Sequence, residues 1–133
     1  MPGVTDGGVD EVLAELVARE PLFHRTEHGT TRVDFEAMTA PDFWEVGASG
    51  ARYDREFVWS VLAERYAADG PDEWETGDWE AGDFACRPLG SGTYLLTYRL
   101  RQGERLTRRA TVWERTDGGW RAVYHQGTEV AAG

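Results

Sequence analysis

Glu45 stands inside the stretch DFWEVGASG (residues 42–50), flanked by Phe43, Trp44, Val46 and Ala48. A carboxylate among apolar side chains is costly unless it finds a cation, a hydrogen-bond donor or a proton. A proton makes it chemically useful, because an apolar wall raises a carboxyl pKa toward neutrality and creates a general acid or base. The plainer reading is a solvated strand residue or a structural ion pair. Arg109, in RLTRRATVWER, is the cation expected to face it. His125 is a second acid/base group, expected in the core or at an interface rather than beside Glu45.

Other chemistry-bearing patterns are weaker. HRTEH (residues 24–28) matches H-x-x-E-H, a zinc-peptidase pattern. That chemistry needs both imidazoles on one helical face and a further acidic ligand. Pro21 precedes the motif and Gly29-Thr30-Thr31 follows it, so these residues read as loop histidines, and no metal is expected. Ser49 lacks the G-x-S-x-G surroundings of a nucleophile and reads as a turn residue. Gly90-Ser91-Gly92 lacks the Lys-Ser/Thr and the following helix of a phosphate loop. Cys86 has no adjacent histidine or cation run to make it a thiolate, so it reads as a small strand or core residue.

These residues need elements to position them. In VDEVLAELVARE, the apolar residues Val9, Val12, Leu13, Leu16 and Val17 recur at helical spacing, as in a half-buried helix that Pro21 disrupts. Asp6 or Gly7-Gly8 can start it. A short helix is predicted around TRVDFEAM, ending before Pro41, and DFWEVGAS reads as a strand. Asp54 is a natural N-cap for REFVWSVLAERYAA, in which Phe57, Val58, Val61, Leu62 and Tyr66 form one apolar face; Asp69-Gly70-Pro71 ends it. Strands follow in DWEAGDFACRPL, where Pro88 suggests an edge or a strand end, and in TYLLTYRLR, RLTRRATVWER and WRAVYHQGT. Glycine-containing turns separate the last four strands. Helices on one face of a curved antiparallel sheet make an α+β domain.

Alternation along strands sorts the candidates by face. Phe43, Glu45, Gly47 and Ser49 share one face of their strand. A regular hairpin turning at Asp117-Gly118 pairs Arg115 with Trp120, Trp113 with Ala122, Thr111 with Tyr124 and Arg109 with Gln126. One face then carries Arg109, Thr111, Trp113, Tyr124 and Gln126, and the other carries Ala110, Val112, Val123 and His125. Polar groups beside large aromatics suggest a partly polar pocket on the first face; solvent or a partner subunit is the alternative. Trp44, Trp59 and Trp113 could line a cavity for a flat apolar ligand or simply pack the core.

Composition narrows the classes. The chain has 133 residues, 41% of them hydrophobic and sixteen aromatic, which suits one domain over residues 1–133 with a sizeable core. The core is expected over about 9–128, with flexible termini. All fourteen basic residues are arginine, against 24 acidic ones, for a net charge of −10. Such a surface repels phosphate backbones, so no nucleic-acid partner is expected. Acidic residues crowd the stretch between Arg65 and Arg87, whereas seven arginines lie from Arg99 to Arg121. No apolar run approaches the ~18 residues of a membrane span, and residues 1–11 do not resemble a secretory signal. With a single cysteine, a cytoplasmic location is expected.

DFWEVGASGARYDREFV followed by RRATVWERTDGGWRAVYHQGT resembles the nuclear transport factor 2-like superfamily over roughly residues 9 to 128. Specifically, it resembles a small, uncharacterised bacterial branch whose members end in a similar VW…DGGW…HQGT strand pair. The resemblance implies a cone: a strongly curved antiparallel sheet wrapped around about three N-terminal helices, with an internal cavity and pairing of two copies through the sheet. The superfamily holds ketosteroid isomerase, scytalone dehydratase, limonene epoxide hydrolase and polyketide cyclases, as well as non-enzymatic transport and oligomerisation domains, so fold leaves function open. The isomerase's general base, an Asp on the first long strand, corresponds to Gly47 here; Glu45, two residues earlier on the same face, could replace it. In the similar association domain of calcium/calmodulin-dependent kinase, a cavity arginine corresponds to Thr111. The expected function is therefore binding of a small apolar or partly polar molecule by a homodimer. Two versions stand: a cofactor-independent lyase or isomerase with Glu45 as acid/base, its oxygen-orienting group being Arg109, Tyr124 or Gln126, and a non-catalytic ligand-binding or dimerisation module.

Overall fold

The computed structural model describes residues 2–20, 29–67 and 79–130. Helix α1 covers Pro2–Val17, beginning upstream of the expected start, and buries Val12 and Leu16. The HRTEH motif and Asp69-Gly70-Pro71 lie outside the described residues. Helix α2, Arg32–Met38, opens on a capping box in which the Thr31 side chain accepts from the Asp34 N–H and the Asp34 carboxylate accepts from the Thr31 N–H. That reciprocity satisfies two otherwise orphaned donors.

The chain passes directly from α2 into β1, Thr39–Val46. Pro41 falls where the β1 register shifts, between Thr39 and Trp44, as expected of a residue with no N–H to donate. A turn at 47–50 leads to β2, Arg52–Asp54, a three-residue strand absent from the sequence expectation. Helix α3, Arg55–Ala67, follows; the Asp54 carboxylate caps it by accepting from the Phe57 N–H at 2.8 Å. Then come β3 (Trp79–Gly90), β4 (Thr93–Gln102), β5 (Arg105–Thr116) and β6 (Gly119–Glu129).

These strands form one six-stranded sheet in the order β2-β1-β6-β5-β4-β3. Pro88 does lie on an edge strand, β3. The sheet is mixed rather than wholly antiparallel, because β1 and β6 run parallel. The correction has a topological cause: β1 is separated from β6 by α3 and four strands, and such a long crossover allows parallel pairing that no hairpin could make. The inner face of the curved sheet, through Phe43, Leu96, Leu100, Trp113 and Trp120, packs with Leu16, Phe35 and Leu62 of the helices into one core.

Register decides which groups face that interior. The β5–β6 hairpin pairs Arg115 with Trp120 and Trp113 with Ala122, as a regular turn predicts. Beyond them Val112 pairs with Tyr124, leaving Val123 as an extra residue, and the pairs become Thr111–His125 and Arg109–Gly127. This β-bulge puts two residues of β6 against one of β5 and inverts the expected alternation. Tyr124 and Gln126 consequently leave the face of Arg109, Thr111 and Trp113, and His125 joins it.

Candidate functional site

Between the inner sheet face and α3 lies a cavity of about 400 Å3, within the range of small-molecule sites. Val58 and Leu62 form its deep apolar wall; Phe57 and Val61, 49% and 40% exposed, carry that wall out to solvent. Tyr53 of β2 adds a ring stacked on Phe57, with centroids 4.8 Å apart. The opposite wall is polar: Glu45 of β1, His125 of β6, and Arg105 and Arg109 of β5, with Arg65 reaching in from α3.

Glu45 is the single carboxylate among the described residues of this lining. Burial pushes its pKa above the ordinary carboxylate value, and attraction to Arg109 and Arg65 offsets part of that rise. The expected opposition of Glu45 and Arg109 takes the form of a shared cavity rather than a direct pair: among the described residues no cation stands within 4.0 Å of the Glu45 carboxylate. Arg109 donates from Nε to Thr107 Oγ1 at 3.1 Å, and its guanidinium lies over Gly127, about 3.8 Å from where a Cβ would stand. Burial lowers its pKa, against the opposing pull of Tyr98, Glu20 and Glu45.

His125 sits beside Glu45 in the β1–β6 register. Its Nδ1 is 2.7 Å from the buried Thr111 hydroxyl. Desolvation, helped by the nearby Arg109 charge, depresses its pKa to about 3. The imidazole is therefore neutral near pH 7 and can donate or accept a hydrogen bond without carrying charge.

The other sequence candidates divide by position. Thr111 and Trp113 face inward but are sealed in the core: Thr111 orients His125, and Trp113 donates its indole N–H to Glu20 at 3.1 Å. Trp59 packs on Phe35, with centroids 5.4 Å apart, and is not among the lining residues. Tyr124 and Gln126 lie on the outer face, where the Tyr124 hydroxyl donates to the Gln126 amide oxygen at 2.6 Å and its ring packs on Trp44 at 4.5 Å. They are corrected from cavity residues to outer-face residues by the bulge at Val123.

Several residues went unrecognised. Arg65 continues the helical spacing Val58, Val61/Leu62 by one turn, and Arg105 continues the alternation 109, 107, 105, so both carried a readable signal. Glu20 carried less. Fully buried just beyond α1, it accepts from the Tyr98 hydroxyl at 2.8 Å and from Trp113, tying the helix to the sheet behind Arg109. Gly47, where the isomerase base would stand, approaches Tyr53 closely: a Cβ there would meet the ring at 3.1 Å.

No family model matches the chain, and no curated protein matches it. Solved structures do. A protein of unknown function from Pectobacterium atrosepticum, of the DUF3225 family, is 17% identical, covers 91% of this chain and 92% of its own, and superposes with a TM-score of 0.63. A protein from Streptomyces avermitilis, provisionally called a dehydratase of the NTF2-like family, is 15% identical over 92% of this chain and 99% of its own, with a TM-score of 0.66. The CamKII hub homology domain of Chlamydomonas reinhardtii is 16% identical over 90% and 99%, with a TM-score of 0.63. Further matches are named as cystatin-like fold proteins. Across this range of names the shared property is architecture, and the chain has the nuclear transport factor 2-like, or cystatin-like, α+β fold.

Proposed function

We propose that this domain binds a small, largely apolar molecule in the cavity between α3 and the sheet, and that Glu45 moves a proton on it in a cofactor-independent isomerase or lyase reaction. The observation carrying this reading is the placement of one partly buried carboxylate, its pKa raised, in a half-apolar cavity with the Arg109 guanidinium. Ionised Glu45 takes a proton from a carbon next to a carbonyl. Arg109 faces the carbonyl oxygen and stabilises the negative charge that develops there. Returning the proton to a different carbon isomerises the substrate; expelling a β-hydroxyl as water completes an elimination. His125, being neutral, serves as a hydrogen-bond partner and not as the acid.

The test is a panel of cyclic enones and β-hydroxy carbonyl compounds followed by proton NMR in deuterated water. Glu45→Gln should keep the fold and lower any exchange or turnover by about 10²-fold or more. Turnover unchanged in that variant removes Glu45 from the reaction.

A second reading, a non-catalytic ligand-binding or dimerisation module, is favoured by one specific feature. At the strand position where the isomerase carries its base this chain has Gly47, with the Tyr53 ring in the space a side chain would need. In either reading the proposed assembly is a cytoplasmic homodimer formed through the outer sheet face. Among the described residues no helix is long and apolar enough to cross a membrane.

A further inference from the structure

Arginine partners and cavity lining, taken together, mark two residues of β5. Arg32, Arg101, Arg108, Arg115 and Arg121 each hold a carboxylate, and Arg55 donates to Thr39 and to the Glu36 carbonyl. Arg105 and Arg109, like Arg19, Arg52, Arg87 and Arg99, have no carboxylate within 4.0 Å among the described residues, and of these six they are the two that line the cavity. Both project into the cavity, where Glu45 is the one carboxylate among the described lining residues. Glu20, the other acid acting on Arg109, is already engaged by Tyr98 and Trp113 behind the wall. In a chain of net charge −10, this is a local cationic excess in a partly desolvated place, where an ionic hydrogen bond is stronger than on the surface.

We infer that the cavity is selective for an organic carboxylate, its flat apolar body lying against Tyr53, Phe57 and Leu62 and its anionic head turned to Arg109 and Arg105. This deepens the proposed function and rests on its claim that the cavity binds a small molecule. The planar guanidinium fork suits a carboxylate, and the apolar half of the cavity suits the remainder of such a ligand. Glu45 in the same space opposes a doubly charged phosphate more than a singly charged carboxylate.

The probes are naphthalene-2-carboxylate and its neutral counterpart 2-naphthylmethanol, titrated calorimetrically into the whole protein. The acid should bind about ten-fold or more tightly than the alcohol, as expected for a charge-assisted hydrogen bond at a sheltered site. Arg109→Met should erase that preference while leaving the alcohol's affinity in place. Should Arg109→Met not fold, Arg105→Gln at the exposed rim must weaken the acid alone by a few-fold. Equal affinities, or a tighter alcohol, overturn the carboxylate assignment and leave the cavity reading standing. Failure of both compounds to bind at millimolar concentration brings down the cavity reading and the assignment together.

Discussion

Burial drives two neighbouring ionisable groups in opposite directions across the β1–β6 pair. Glu45 is pushed toward its protonated form and His125 toward its neutral form, so the site loses charge on both strands. For His125 the consequence can be measured. Its pKa in the fold, about 3, lies below the ordinary value of 6.5, so the unfolded chain binds the proton more readily. The stability tied to the neutral imidazole is complete above pH 6.5 and is lost as pH falls toward 3. Thermal midpoints recorded across that window should decline less for His125→Gln than for the wild type; parallel curves would falsify the neutral, desolvated histidine. The carboxylate's suspect position was readable from its apolar neighbours, since Phe43 is indeed buried beside it. Its neighbour His125 was not readable, because face assignment depended on a register that the residues themselves do not announce.

Elements with local causes were legible. Apolar spacing marked α3, glycine turns marked the boundaries of β4, β5 and β6, and Asp54 marked a helix start. Its capping bond to the Phe57 N–H should contribute about 1 kcal/mol, so Asp54→Ala is expected to lower the urea midpoint accordingly with an unchanged slope. Because α3 carries Phe57, Val61 and Arg65 into the cavity, the same substitution should also weaken binding of the naphthalene probes. Elements with non-local causes were not legible. The bulge at Val123 sits in RAVYHQ, which contains no glycine or proline to betray it, yet it decides that His125 rather than Tyr124 and Gln126 enters the interior. Strand β2 is too short for alternation to register. The parallel β1–β6 contact joins residues too far apart in sequence for any turn signal to report it.

At the level of the molecule, the described helices cover the inner sheet face and leave the outer one, where Trp44 packs on Tyr124 and the Arg52 guanidinium lies 4.3 Å over the Trp44 ring. A second copy is the proposed cover. Tyr124→Glu would bury a carboxylate at that interface while leaving the cavity lining intact. Light scattering after size exclusion should therefore show a dimer for the wild type and a monomer for the variant, and a wild-type monomer at micromolar concentration would remove the dimer. The acidic stretch foreseen after Arg65 is partly absorbed along the other edge, where Glu80 and Asp83 of β3 pair with Arg101 and Arg108, leaving the inward arginines of β5 to the cavity. The parallel seam between β1 and β6 also sets a timetable for biosynthesis. Glu45 leaves the ribosome early, whereas His125 and Gly127 emerge only after β3, β4 and β5 have been made. A half-made chain lacks the β5 and β6 residues that wall the cavity, so the Glu45 carboxylate is desolvated only when the last strand docks.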